Sequence, residues 1–168
     1  MKNLKHILVA LLIMLISVLI TYYVKSNNPI LAIIPFILIG FFIFNLTIRS
    51  SLSFKNYFTS RFNIFTTKVH YQKSYEIPKD LMFEKIIEVI NNSKFKLVKT
   101  NKEKYEILAI TTITFNSWGE NLYLSFDTSE NMTIMNFCST TLFQMYSWGK
   151  NDKNYSELLK NIENSLII

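Results

Sequence analysis

The stretch from Ile7 to Ile48, ILVALLIMLISVLITYYVKSNNPILAIIPFILIGFFIFNLTI, decides how the rest of the chain is read, because it is almost wholly apolar and is broken only at Lys25-Ser26-Asn27-Asn28-Pro29. A hydrocarbon core about 30 Å thick takes about 20 helical residues to cross. Residues 7–24 and 30–48 each approach that length without a charge, so hydropathy predicts a two-helix transmembrane hairpin over 1–49. Lys2 and Lys5 precede the first apolar run, Lys25 sits alone in the turn, and Arg49, Lys55, Arg61 and Lys68 follow the second. Counted by the positive-inside rule, this predicts an inner-membrane protein with both termini cytoplasmic. A cleaved signal peptide is the competing reading of residues 1–24, but Tyr22-Tyr23-Val24-Lys25 offers no small-x-small cleavage site.

Working outward, residues 50–65 interleave Phe54, Tyr57, Phe58, Phe62 and Phe65 with Lys55 and Arg61. Aromatics at every third or fourth position would form one stripe of a helix. This segment therefore reads as an amphipathic juxtamembrane linker, with Phe54, Phe58 and Arg61 as candidate membrane-surface contacts. The alternative is that the second apolar helix simply continues through it.

Residues 66–168 read as one α+β domain. Thr67 to Ile77 alternates, with Val69, Tyr71, Tyr75 and Ile77 on one side and Lys68, His70, Gln72 and Ser74 on the other, as a half-buried strand does. Pro78 and Asp80 open a helix to about Asn91 whose apolar face is Met82, Phe83, Ile86, Ile87 and Ile90. Strands are expected at Phe95–Thr100, Tyr105–Phe115, Leu122–Phe126 and from Met132 to about Tyr146, separated by polar turns. Asn151 or Asp152 caps a last helix in which Tyr155, Leu158, Leu159, Ile162 and Leu166 share a face. The predicted order is β-α-β-β-β-β-α, an antiparallel sheet with both helices on one face. A pleckstrin-homology-like barrel is the competing arrangement; the helix at 79–91 and the low strand count argue against it.

Charge excludes one function class. The net charge of +6 looks like a nucleic-acid signal, yet all 12 acidic residues lie after residue 75, and four of the 18 cations flank the apolar stretch. The remainder is nearly balanced, so no nucleic-acid partner is expected. A single cysteine, Cys138, and two histidines, His6 and His70, cannot build an ordinary zinc site. Asp80, Glu84 and Glu88 fall at i, i+4 and i+8 on one helix face, which without a histidine reads as a solvated surface. No cofactor, metal or catalytic set is expected.

Two surfaces remain. Lys94, Lys96, Lys99, Lys102 and Lys104 crowd one hairpin with Glu103 among them. They form either a basic binding surface or the charged guard of an edge strand. Strand direction places the turns Ser117-Trp118-Gly119 and Ser147-Trp148-Gly149 at one end of the sheet. Trp118 and Trp148, with Lys150 and Lys153, are then candidate membrane-surface contacts, or else the rings plug the end of the sheet as core.

The tracts Phe115-Asn116-Ser117-Trp118-Gly119-Glu120 and Tyr146-Ser147-Trp148-Gly149-Lys150-Asn151 resemble those of uncharacterised small bacterial membrane-anchored α+β domain proteins over residues 66–168. The resemblance implies a bacterial source and this order of elements; it implies no activity. The function these readings point to is a membrane-tethered, non-enzymatic interaction or regulatory module at the cytoplasmic face. Its expected partners are membrane lipid and a protein partner or second copy. The alternative is a hydrolase or transferase with a site between sheet and membrane, for which His70 with Ser74 or Glu76 is the nearest base and nucleophile by sequence.

Overall fold

The computed structural model describes residues 47–61, 66–114, 117–142 and 144–166, together with scattered positions between 15 and 44. The chain forms two compact units, Met1–Ser50 and Ser51–Ile168.

In the first unit the described positions from Leu15 to Thr47 are helical. Among the described residues, no helix is long and apolar enough to cross a membrane. This corrects the two-span transmembrane hairpin over 7–24 and 30–48, and with it the inner-membrane placement with both termini cytoplasmic. A span needs about 20 consecutive helical residues. Most of both predicted spans lies outside the described residues. Hydropathy registers apolar composition, and composition alone does not establish helical continuity.

The second unit opens with a 3-10 turn, Leu52–Phe54, in which the Ser51 hydroxyl accepts the Ser53 N–H at 3.2 Å. The short helix α1, Lys55–Thr59, follows and ends where Ser60 turns extended at φ −60° and ψ 143°. The predicted linker helix is thus confined to one turn and a half; Phe62 and Phe65 lie outside the described residues.

Five strands follow: β1 Lys68–Tyr75, β2 Lys96–Asn101, β3 Glu106–Ile110, β4 Glu120–Ser129 and β5 Met132–Thr141. Helix α2, Lys79–Asn91, comes between β1 and β2, and α3, Lys150–Leu166, comes after β5. The sheet order is β1-β5-β4-β3-β2, antiparallel throughout. β2 to β5 form the predicted meander, while β1 joins at the β5 edge. β1 and β2 are therefore the two outer strands, and α2 carries the chain from one edge to the other across a single face.

Local sequence explains the joints. Pro78 precedes α2 with a fixed φ of −54°, and its carbonyl accepts the Met82 N–H at 2.9 Å. The Asn101 side chain accepts from the Lys104 N–H at 3.1 Å, which closes the β2–β3 turn, and Tyr105 takes a positive φ of 49° to leave it. Gly119, at φ 86°, lets the chain enter β4 from a bend that a side chain would strain.

Alternation sorts the residues by face. Ile107 and Ala109 of β3, Leu122, Leu124 and Phe126 of β4, and Met135 and Phe137 of β5 are buried in one cluster with Met82, Phe83, Ile86 and Ile90 of α2 and Leu158 and Ile162 of α3. Both helical stripes are covered on the same face. Phe83 meets Tyr105 and Phe126 edge-on at 5.5 and 5.9 Å, and Tyr155 stacks on Tyr71 at 4.1 Å. Such a core holds the sheet rigid from behind and leaves its other face to the short segment Ser51–Arg61.

Candidate functional site: a polar groove on the open face of the sheet

On the face turned away from α2 and α3, register aligns side chains in cross-strand rows. Lys68 pairs with Thr140 and Thr140 with Asn121; His70 pairs with Cys138 and Cys138 with Tyr123; Gln72 pairs with Asn136 and Asn136 with Ser125. A sheet face left to water would expose all of these. Here Thr140, Asn121 and Tyr123 are nonetheless buried. Phe58 of α1 is also buried, at 3% exposure, and Lys55 forms an ion pair with Glu106 of β3 at 3.1 Å. Lys68 donates through its ammonium to the Ser60 carbonyl. Between this cover and β1 lies a groove of about 620 Å³, lined by Lys55, Thr59, Arg61, His70, Gln72, Tyr123, Ser125, Asn136 and Cys138 among others.

The hydrogen-bonding in the groove is directional. Gln72 Nε2 donates to Asn136 Oδ1 at 2.6 Å, and Asn136 Nδ2 donates to Asp127 Oδ2 at 2.6 Å. Asn121 Nδ2 donates to the Tyr123 hydroxyl at 3.0 Å. These links fix the amide planes and so preset which edges face the groove.

Cys138 Sγ lies 3.3 Å from Thr140 Oγ1 and 3.9 Å from His70 Nε2. Burial pushes the thiol above its ordinary value, against the opposing pull of the Thr140 hydroxyl and of Lys68 and Lys55. Desolvation, with the positive charges of Lys68 and Arg61, holds His70 below the usual imidazole range. Lys68 is itself lowered by desolvation. At neutral pH both members of the pair are therefore uncharged. A cysteine nucleophile needs the thiolate, so this dyad is not poised for acyl or group transfer.

The bases and nucleophiles expected from sequence do not assemble. Ser74 and Glu76 lie four and six residues beyond His70 on or just past the extended strand, ~13 and ~20 Å away at about 3.3 Å per residue. The structure instead sets Cys138 beside His70, a partner 68 residues distant that only the β1–β5 pairing reveals.

The remaining candidates scatter. Trp118 and Trp148 sit at the same end of the sheet, with the Trp118 N–H reaching Gln144 Oε1 at 3.4 Å. They are 55% and 81% exposed, so neither ring plugs the core. Lys150 begins α3 and Lys153 projects from its first turn into solvent. Phe54 is partly exposed, Phe58 is buried under α1, and Arg61 stands exposed at the groove. The lysine hairpin is not one free patch. Lys94 pairs with Glu157 of α3, and Lys102 pairs with Glu84 of α2 at 2.9 Å, while Lys96, Lys99 and Lys104 are exposed on the edge strand and its turn. The acidic row of α2 is engaged likewise: Asp80 accepts from the Tyr105 hydroxyl at 2.6 Å, and Glu88 pairs with Lys85 at 3.2 Å. Among the described residues no group of three or more His, Cys, Asp or Glu could hold a metal.

A second polar cluster, invisible to sequence reasoning, lies on the helix side at the sheet end. Glu120 is wholly buried. Its carboxylate accepts from the Thr111 hydroxyl at 2.5 Å, from the Ser117 hydroxyl, and from Asn154 Nδ2 at 3.2 Å. Asn151 accepts from the Ser139 hydroxyl at 2.8 Å and donates to the Thr67 carbonyl at 3.0 Å. Apart from Asn154 Oδ1, which is buried without a partner, the polar atoms named here are taken up by fold contacts, so this cluster pins the start of α3 to the sheet.

No family model matches the chain, and no curated protein matches it. Among solved structures it is similar to one described as "Crystal structure of Ara h 8.0201", at 6% identity and a TM-score of 0.47, with 61% of this chain and 98% of that chain covered. A likeness so faint carries nothing about what this chain binds.

Proposed function

We propose that the second unit is a non-enzymatic binding module whose site is the polar groove between β1 and the Ser51–Arg61 segment. The observation that carries this reading is the groove itself: about 620 Å³ of space on a sheet face whose amides and phenol are held in preset orientations. That volume suits a small molecule, and small-molecule sites combine a concave wall with a few fixed polar groups. A regulatory role follows naturally, since the covering segment lies next in sequence to the first unit and binding beneath it would bias how that segment sits. The hydrolase or transferase alternative has less support, because its one base-and-nucleophile pair is uncharged on both sides.

The test is a ligand-observed NMR screen of a small-fragment set against the purified full chain, repeated with Ser125→Trp, which fills the groove. Binders lost in the filled variant, at an unchanged melting temperature, support the reading. Binders indifferent to Ser125→Trp, or none at all, refute it.

A further inference from the structure

The charges around the groove are one-sided. Arg61 and Lys55 line it, and Lys68 stands beside His70 on the same strand face. The acids are absent from its lining: Glu106 is drawn off by Lys55 at 3.1 Å, and Asp127 reaches the site only through Asn136 at 2.6 Å. Among the described residues, Lys68 has only a backbone carbonyl, that of Ser60, as its hydrogen-bond acceptor. Lys68 is thus brought to a partly dry wall with only a neutral acceptor, and Arg61 stands exposed at the groove with no acid among the lining residues. Burying uncompensated cations is costly, and a site that does so is balanced when an anion enters.

Resting on the groove as the binding site, we propose that its occupant is a small molecule bearing a compact oxyanion, phosphate or carboxylate, seated between Arg61 and Lys68. Its polar body then lies along Gln72, Asn136, Ser125 and the Tyr123 hydroxyl. The direction of the His70 titration agrees with this field: besides desolvation, Lys68 and Arg61 are the charged groups among the described residues that act on it, and both disfavour its protonation. The groups facing His70 are Lys68 on its own strand, Cys138 on β5, Tyr123 on β4 and Arg61 after α1. An arriving anion opposes the two cations, so it raises the His70 pKa, and by linkage binding strengthens as pH falls through that pKa.

The experiment follows the His70 ring by NMR in the full chain, with His70→Gln assigning its signal apart from that of His6. Inorganic phosphate and acetate are titrated separately, each at ionic strength held constant with sodium chloride. The expected result is a saturable shift of the ring signal with an upward-moved pKa. Arg61→Gln should weaken the response about tenfold, the loss of one charge-assisted hydrogen bond, while the charge-matched control Lys153→Gln leaves it unchanged. Whichever anion saturates at lower concentration identifies the group. Sodium chloride alone reproducing the shift would overturn the inference, and so would equal weakening in Lys153→Gln. If neutral fragments occupy the groove and neither anion does, the inference fails and the binding module stands; if nothing occupies it, both fail.

Discussion

Replacing Glu120 by alanine tests whether a buried carboxylate with only neutral donors around it stabilises this fold. Glu120 has no exposed surface, and its oxygens receive the Thr111 hydroxyl, the Ser117 hydroxyl and the Asn154 amide. Truncation removes three hydrogen bonds, each worth about 1 kcal/mol net, and leaves a cavity costing about another 1 kcal/mol. Against that, the variant no longer buries a carboxylate that has no ion-pair partner among the described residues, a relief of about 1 kcal/mol. The balance is a loss of about 3 kcal/mol. It is softened because the Ser117 hydroxyl still accepts the Gly119 N–H at 3.0 Å, and Asn154 keeps the Ser139 hydroxyl at 3.4 Å. Glu120→Gln preserves shape but turns one acceptor into a donor facing other donors, so it should cost about half as much. Urea unfolding gives the magnitude, and native-state hydrogen exchange gives the place. The first two turns of α3 should exchange faster than α2, because Asn154 is the anchor that Glu120 holds. A loss under about 1 kcal/mol, or exchange accelerated equally in α2 and α3, would refute the reasoning.

Three further outcomes are expected. Tyr75 buries a hydroxyl with no hydrogen-bond partner, so Tyr75→Phe should leave stability unchanged or raise it by about 1 kcal/mol. Its phenol is pushed up by desolvation, then by Tyr155 and Glu163, so the unfolded chain ionises first and wild type should lose stability as pH climbs past 10 more steeply than the variant does; a destabilised variant in urea melts would count against this. Cys138, buried and with its thiol pushed up, should be alkylated by iodoacetamide more slowly than a free thiol at pH 7 and accelerate only above the ordinary thiol pKa; fast labelling at pH 7 would mean an activated nucleophile. For His70, held low in the fold, the unfolded chain takes up its proton first as pH falls through about 6.5, so stability declines there; His70→Gln should shrink the drop in urea midpoint between pH 7.5 and pH 5.

The elements of the second unit were largely legible because each is written in a local period. The alternation from Val69 to Tyr75, the Pro78 start of α2 and the stripe through Leu158 and Ile162 all found their places. Strand limits were less so: the sheet releases the chain after Thr141 instead of near Tyr146, since Gln144 makes only an isolated bridge to Thr66. The groove was not legible, because it depends on pairing across the sheet. Nothing near His70 in sequence announces Cys138, and nothing near Glu120 announces Asn154, 34 residues on. The lysine hairpin's counter-charges were out of view for the same reason, since Glu157 and Glu84 sit on two helices distant in sequence. The apolar opening misled differently, because a long run of isoleucine, leucine and phenylalanine carries the same hydropathy whether or not it is one unbroken helix.

The seating of β1 against β5 also sets the order in which this unit can be made. During synthesis β2, β3 and β4 can zip as neighbouring hairpins while the chain is still emerging. β1, finished long before them, has no partner strand until Met132–Thr141 has left the ribosome, because its register runs from Lys68 with Thr140 to Tyr75 with Thr133. Until then its apolar side stands uncovered along β5's place, and closing the sheet means joining residues 58 to 72 positions apart, an arrangement of high contact order that folds slowly. The nascent chain is therefore most vulnerable to mispairing in the interval between β4 and β5, and a pause in translation there would lengthen that exposure.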